Sequence, residues 1–261
     1  MSPSFTRWFA IFSFMTIIFI SGCASRPPLE KYPRREIERP YTLPDGVNNW
    51  HIRTSVSRNR DDKFSQAAIA LPNPLIWEIA LNDDWTLLWY PINLGISHQF
   101  WKNETSRLGF SFLANMAYSS IMGFRVYPTL NLSYRHQLTQ KVALDFVPSV
   151  VLDFPFKSGK KFHWSTSLDI GPVLQLAENF ALKPTLFFAA THGRTALPNA
   201  TETYFIGELE ERTIFVMGLG TSATWSFARQ WDLRPTYNYS GFTAENGYEA
   251  HFGSLEFVHF W

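Results

Sequence analysis

The sequence predicts an all-β protein: an antiparallel transmembrane β-barrel of about ten strands (range 8–12), behind a signal peptide and an extended tether. Three observations predict it. From Trp50 onward, apolar and polar residues alternate with period two over segments of about ten residues or longer. Aromatic residues make up 17% of the chain, with 24 Phe and 10 Trp, a load suited to a surface that meets hydrocarbon and its interface. Beyond the N-terminal segment, no stretch reaches about 18 uncharged apolar residues. Only helices and closed barrels satisfy the backbone inside a bilayer, so a barrel is the remaining membrane architecture. A soluble sandwich also alternates, but its strands run nearer five or six residues.

Taken in order, residues 1–22 read as a signal peptide. One positive charge, Arg7, precedes an uncharged apolar stretch from Trp8 to Ile20, too short to span a membrane. The stretch closes on Ile20-Ser21-Gly22-Cys23, and Cys23 is the only cysteine in 261 residues. Small residues at 21 and 22 followed by cysteine resemble the lipobox of bacterial lipoproteins. That resemblance implies cleavage before Cys23 and a lipid on its sulfur. Ala24 in place of Asp implies, for enteric-type bacteria, sorting to the outer membrane.

Residues 23–48 hold the lipidated cysteine and a stretch rich in proline and charge: Pro27, Pro28, Arg34, Arg35, Glu36, Pro40 and Pro44. No period of 2 or 3.6 survives there, so it is expected to be an extended tether, about 60 Å for some 20 residues. Charge is balanced at 23 basic against 22 acidic residues, which argues against nucleic acid as a partner. With its one cysteine lipidated, the chain can form no internal disulfide.

Residues 49–261 are expected to form the barrel. Trp50, Ile52, Thr54 and Val56 alternate with His51, Arg53, Ser55 and Ser57. The same pattern runs through 124–135, 142–154, 164–175, 180–188 and 231–239. Tight turns recur at 81–85, 138–142, 176–180 and 227–231, and longer polar connections near 59–63, 101–107, 155–161, 193–212 and 243–248. Short periplasmic turns and longer external loops are the habit of outer-membrane barrels, which would put Trp85, Phe180, Phe227 and Trp231 in a periplasmic aromatic girdle. Counting every alternating segment gives eleven strands; treating 108–137 as one interrupted strand gives ten, and splitting another segment instead gives twelve. The last strand ends Phe257-Val258-His259-Phe260-Trp261 and resembles the C-terminal strand of bacterial outer-membrane barrels. That resemblance implies recognition by the barrel assembly machinery. Trp261 replaces the commoner Phe, and His259 stands where Tyr or an apolar residue is usual.

If polar residues line the lumen, centring the turns sets the register. Arg135 then faces Asp145, Arg234 faces Glu256, Ser226 lies beside Asp232, and Arg53 meets Glu256 across the closing seam. Arg125, Asp153, Asp169 and Lys183 add further charge. Such a set reads as a structural ion-pair network or as the filter of a narrow pore.

An enzyme is the main rival. Ser–His candidates for a lipid hydrolase are Ser97-His98, Ser254 with His251, and Ser165 with His163. Neither a His-x-Ser-Asn-Gly element, like that of outer-membrane phospholipases, nor a Gly-x-Ser-x-Gly elbow is present. Seven scattered His and one Cys give no metal spacing, and no cofactor is implied. Loop 193–212, with Glu202, Glu208, Glu210 and Glu211 around Tyr204, Phe205 and Ile206, is a candidate recognition loop. Lys157, Lys160 and Lys161 are candidate contacts for lipopolysaccharide phosphates. The expectation is therefore a lipid-anchored outer-membrane barrel with a structural, binding or small-solute-passage role. The alternatives are an outer-membrane esterase or deacylase and a soluble periplasmic β lipoprotein.

Overall fold

The computed structural model describes residues 29–60, 65–90, 93–119, 123–156, 162–192, 213–242 and 249–261. The signal segment, Cys23, loop 193–212 and the 157–161 lysines lie outside the described residues. Among the described residues, twelve antiparallel strands close into one barrel. They are β1 Asn48–Arg60, β2 Ser65–Asn82, β3 Trp85–Tyr90, β4 Asn93–Lys102, β5 Ser106–Ser119 and β6 Gly123–Gln137. The second half comprises β7 Val142–Pro155, β8 His163–Ala177, β9 Phe180–His192, β10 Thr213–Ala228, β11 Trp231–Phe242 and β12 Glu249–Phe260. Each strand pairs with the next, and β12 returns to β1 from Asn49↔Phe260 to Arg60↔Glu249. Among the described residues, no helix is long and apolar enough to cross a membrane.

The alternation decides which way side chains point. On β7, Ala143, Asp145 and Asp153 face inward and are buried. Their neighbours Val150 and Phe154 face outward and are exposed. Leu186 is 45% exposed whereas Asp145 is 2% exposed, the reverse of a soluble core. Aromatic rings gather at both ends of the wall. At the end with the tight turns, Trp85 stacks on His98 at 4.0 Å, and Trp231 packs on His259 at 4.4 Å. At the other end, Phe154 meets Phe162 at 5.1 Å and Phe124 meets Phe156 at 5.6 Å.

The count of twelve lies within the expected range but corrects the central value of ten. Two segments read as single strands are hairpins: β3–β4, paired up to Tyr90↔Asn93, and β5–β6, paired up to Ser119↔Gly123. Both reversals fall within largely apolar sequence, so no polar loop marks them. A second correction follows from the first. The connection at 101–107 is a tight turn at the same end as the others, not a longer external loop. The Asn103 side-chain oxygen accepts from the amides of Thr105 (3.0 Å) and Ser106 (2.6 Å), which closes the turn locally.

Two glycines answer specific needs. Gly46 has φ 79°, and with Pro44, Asp45 and the Val47 amide bonded to the Pro44 carbonyl (2.9 Å) it turns the chain into β1. At Gly171 on β8, a Cβ would stand 2.0 Å from the Pro184 carbonyl oxygen of β9. Backbone meets backbone there with no room for a side chain.

The largest difference from expectation concerns the N-terminal stretch. Residues 29–47 are not an extended tether. They fold into two 3-10 turns, Leu29–Lys31 and Glu36–Glu38, and lie across the tight-turn mouth of the barrel. Periodicity could not reveal this because the segment makes no ladder. Its polar groups bond to side chains and turns scattered over the wall instead.

Candidate functional site: a plugged lumen

The site begins with how this N-terminal segment is held. Ile37 is fully buried against Ala143, Val173 and Ala181 of β7, β8 and β9. Leu43 and Val47 pack with Val258 and Phe260 of β12, with Leu29 and Tyr32 against the same cluster. Burying Ile37 alone contributes about 1.5–3 kcal/mol. The backbone is satisfied by the wall. The Ile37 amide donates to Gln175 Oε1 (3.2 Å), its carbonyl accepts from Arg107 (2.8 Å), and the Glu36 carbonyl accepts from Arg135 (2.6 Å). Further round, the Tyr41 amide donates to Gln99 Oε1 (3.0 Å) and the Leu43 amide to Thr86 Oγ1 (2.8 Å). A segment with no regular ladder thus has its backbone groups paired, as burial demands.

Arg39 is the main charged link between plug and wall. Its guanidinium forms an ion pair with Asp232 of β11 and donates to Ser226 Oγ of β10 (2.8 Å). Ser226 in turn donates to Asp232 Oδ1 (2.7 Å). Tyr32 lies beneath the guanidinium, 5.1 Å from ring centroid to Cζ, and burial pushes its phenol up to about 12. Burial likewise pushes the Tyr41 phenol up. Both phenols are therefore neutral at physiological pH.

The wall carries a ring of ion pairs facing this plug. Arg135 grips Asp145 with two bonds, Nε to Oδ1 at 2.7 Å and Nη2 to Oδ2 at 2.9 Å, in the register Arg135↔Asp145. Lys183 of β9 reaches the same carboxylate at 2.8 Å. Arg234 stands opposite Glu256 at 3.8 Å and also donates to Asp232 at 3.1 Å. Toward the far end, Arg125 Nε donates to Asp153 Oδ1 at 3.0 Å. Asp169 faces the lumen on β8, next to the strand that carries Lys183. Arg53 is in register with Glu256, yet its guanidinium reaches Ser254 Oγ at 3.4 Å and lies over the face of Phe252.

Sequence reasoning missed five members of this network. His51 lies 3.0 Å from Glu256 and 3.4 Å from Glu78, and Glu78 accepts from Asn49 at 2.7 Å. His51 and Glu78 sit on the inward phase of β1 and β2, so the alternation that found Arg53 carried the signal for them. Arg107 sits on the inward phase of β5, but the sequence places it in the polar connection 101–107, outside any strand. Glu36 and Arg39 had no signal, since nothing in their stretch is periodic.

A cavity of about 290 Å³ remains between plug and wall, lined by Glu36, Arg39, Tyr41, Glu78, Arg135 and Arg234 among others. Its charges are mixed, and it is at the small end for an organic ligand. Two of the three Ser–His candidates are split between the two faces of the wall. Ser97 faces inward while His98 stacks outside on Trp85. His251 bonds Tyr237 on the outer face, away from inward-facing Ser254. Ser165 and His163 share the lumen face of β8, and Ser165 Oγ accepts from Thr191 at 3.2 Å. Among the described residues, no group of three or more His, Cys, Asp or Glu is placed to hold a metal ion.

No protein-family model and no curated protein matches the chain. Among solved structures it is similar to the NanC porin, at 11% identity and a TM-score of 0.48, over 80% of this chain and 99% of that one. It is also similar to Ail, the attachment invasion locus protein of Yersinia pestis (14% identity, TM-score 0.31, 83% and 99% covered). A third is OmpT, an outer membrane protein of Vibrio cholerae (5% identity, TM-score 0.41, 83% and 100% covered). These are likenesses of barrel architecture and assign no solute or activity. The chain is an all-β, closed antiparallel barrel similar to outer-membrane barrels.

Proposed function

We propose that the chain is an outer-membrane barrel lipid-anchored through Cys23, whose own N-terminal segment closes its periplasmic mouth and withdraws to let small polar solutes pass. The seating of residues 29–47 across the mouth carries this reading, because a lumen that carries a ring of charged and polar side chains is blocked at one end by apolar and ionic contacts. Bilayer residence rests on the outward apolar belt between two aromatic girdles. In a soluble lipoprotein those side chains would face a core.

Planar-bilayer recording tests the passage reading. Wild type is expected to be silent, and Ile37→Asp with Arg39→Ala in the full chain to give stepwise conductance. Silence from the double variant, with its heat-modifiable migration intact, would leave a filled structural scaffold instead.

The plug also bears on the anchor. Only five residues separate Cys23 from Leu29, so the chain reaches about 20 Å from the mouth at most. The acyl chains would then lie in the periplasmic leaflet beside the barrel. Metabolic labelling with palmitate is expected for wild type and lost in Cys23→Ser. Equal labelling of the two would rule the anchor out.

A further inference from the structure

The wall is not equally high all round. A transmembrane strand needs about 9–11 residues to cross hydrocarbon, and β3 has six. β2 pairs with β3 only from Trp77 to Asn82, although it continues back to Ser65. β5 pairs with β4 no further than Leu94↔Ala114, although it continues to Ser119. Among the described residues, no strand pairs with those two edges; the Asn93 side chain accepts from the Met116 amide at 2.8 Å, at the foot of the β5 edge. The β3–β4 hairpin therefore ends inside the hydrocarbon belt, and a notch opens above it between β2 and β5. Three inter-strand spacings make it about 14 Å wide between backbones. Unpaired backbone at membrane depth is tolerated where it borders a water-filled cavity, so the notch joins the lumen to the outer leaflet.

Both faces of the notch have a definite character. Outside stand exposed Leu94, Phe112 and Met116, with Trp77 stacked on Trp89 at 4.9 Å below. Inside, Tyr90 ends β3 on the lumen phase, within electrostatic range of Arg53, Glu78 and Glu256. The two carboxylates are engaged: Glu78 with His51 and Asn49, Glu256 with His51 and Arg234. Arg53 has one long bond to Ser254, and its buried Nε has no partner among the described residues. A guanidinium with open donors takes a carboxylate in a charge-assisted, two-bond fork.

We infer that this notch is a lateral binding site for a long-chain carboxylate, its head on Arg53 at the lumen side and its chain over Leu94, Phe112 and Met116 in the outer leaflet. The inference rests on the membrane residence proposed above. Insertion of the full chain into phosphatidylcholine nanodiscs and heat-modifiable migration are therefore scored first, and failure there sinks the membrane reading itself.

With inserted protein, a photoactivatable palmitate is crosslinked and the adducts are mapped by mass spectrometry. Adducts are expected to concentrate on β3–β4 and the 110–116 stretch of β5, and to be competed away by excess palmitate. Arg53→Gln is expected to lower them at least fivefold, and Asn115→Trp, which narrows the mouth from β5, to do likewise. Adducts spread evenly round the belt and unchanged in both variants would overturn the site. Competition by lysophosphatidylglycerol but not palmitate would overturn the carboxylate, and covalently joined pairs of chains at the β2 or β5 edge would give the notch to a second copy.

Discussion

Asp145→Ala is expected to lower the unfolding free energy of the barrel by about 3 kcal/mol, at the lower end of the range for breaking a buried ion pair. The carboxylate is 2% exposed and neutralises Arg135, itself 5% exposed, through two bonds. Removing it leaves a guanidinium with no water to turn to. Two features hold the cost at the lower end. Lys183 is nearly a third exposed and can swing to solvent, so its share is small. Glu36 stands 3.8 Å from Arg135 and offers partial relief, although it also serves Arg39 at 3.2 Å. Urea unfolding in micelles, followed by tryptophan fluorescence, measures the change. Arg135→Met with Asp145→Leu is expected to recover most of the loss, since an apolar pair of similar volume leaves no stranded charge. A single-variant change within about 0.5 kcal/mol would show that the pair does not act as a buried unit.

The Arg135–Asp145 pair also shows what the sequence made legible and why. A barrel wall is local bookkeeping: each tight turn sets the register of its hairpin, and period two assigns the faces. Centring the 139–141 turn was enough to set Arg135 against Asp145, and the same reasoning set Arg234 against Glu256. Where a turn carries no polar residues, the reading failed. Tyr90 and Asn93 are joined within an apolar run, so the β3–β4 hairpin carried no polar punctuation. The register of Arg53 with Glu256 also came right, yet its side chain turned to Ser254 and Phe252, because His51 one turn of the pleat away claims that carboxylate. Alternation fixes the face of a residue but not the competition among several cations for one acid.

The plug is the extreme case. Ile37 and Arg39 find partners at |i−j| distances that no local pattern encodes: Arg39 bonds residues 187 and 193 positions away. A stretch with proline, mixed charge and no period has the same signature whether it waves in solvent or fills a polar mouth. The difference lies in acceptors supplied by the wall, such as Gln175, Gln99 and Thr86, each on the inward phase of its strand near a tight turn.

Asp232→Ala is expected to release the plug without any change in the plug itself. Arg39 makes two kinds of contact. Those to the Pro33 carbonyl (3.0 Å), the Arg34 carbonyl (3.2 Å) and Glu36 (3.2 Å) are internal and travel with the segment if it leaves. Those to Asp232 and Ser226 hold it to the wall. Without Asp232, buried Arg39 keeps only Glu36 and half-buried Arg234 only Glu256, with no carboxylate between the two guanidiniums, at a cost of about 3 kcal/mol, the lower end for a broken buried pair. That matches the roughly 1.5–3 kcal/mol that burial of Ile37 contributes, so the bound position loses a large part of its advantage. Trypsin is then expected to cleave after Arg34 or Arg35 in Asp232→Ala and to leave wild type intact there. Heat-modifiable migration of the cleaved protein would show that the barrel itself still stands. Arg39→Met with Asp232→Leu is expected to restore protection at Arg34 and Arg35, because the seat becomes apolar on both sides. If Asp232→Ala resists trypsin as wild type does, the apolar contacts of Ile37, Leu43 and Val47 hold the segment on their own, and the ion pair sets only its position.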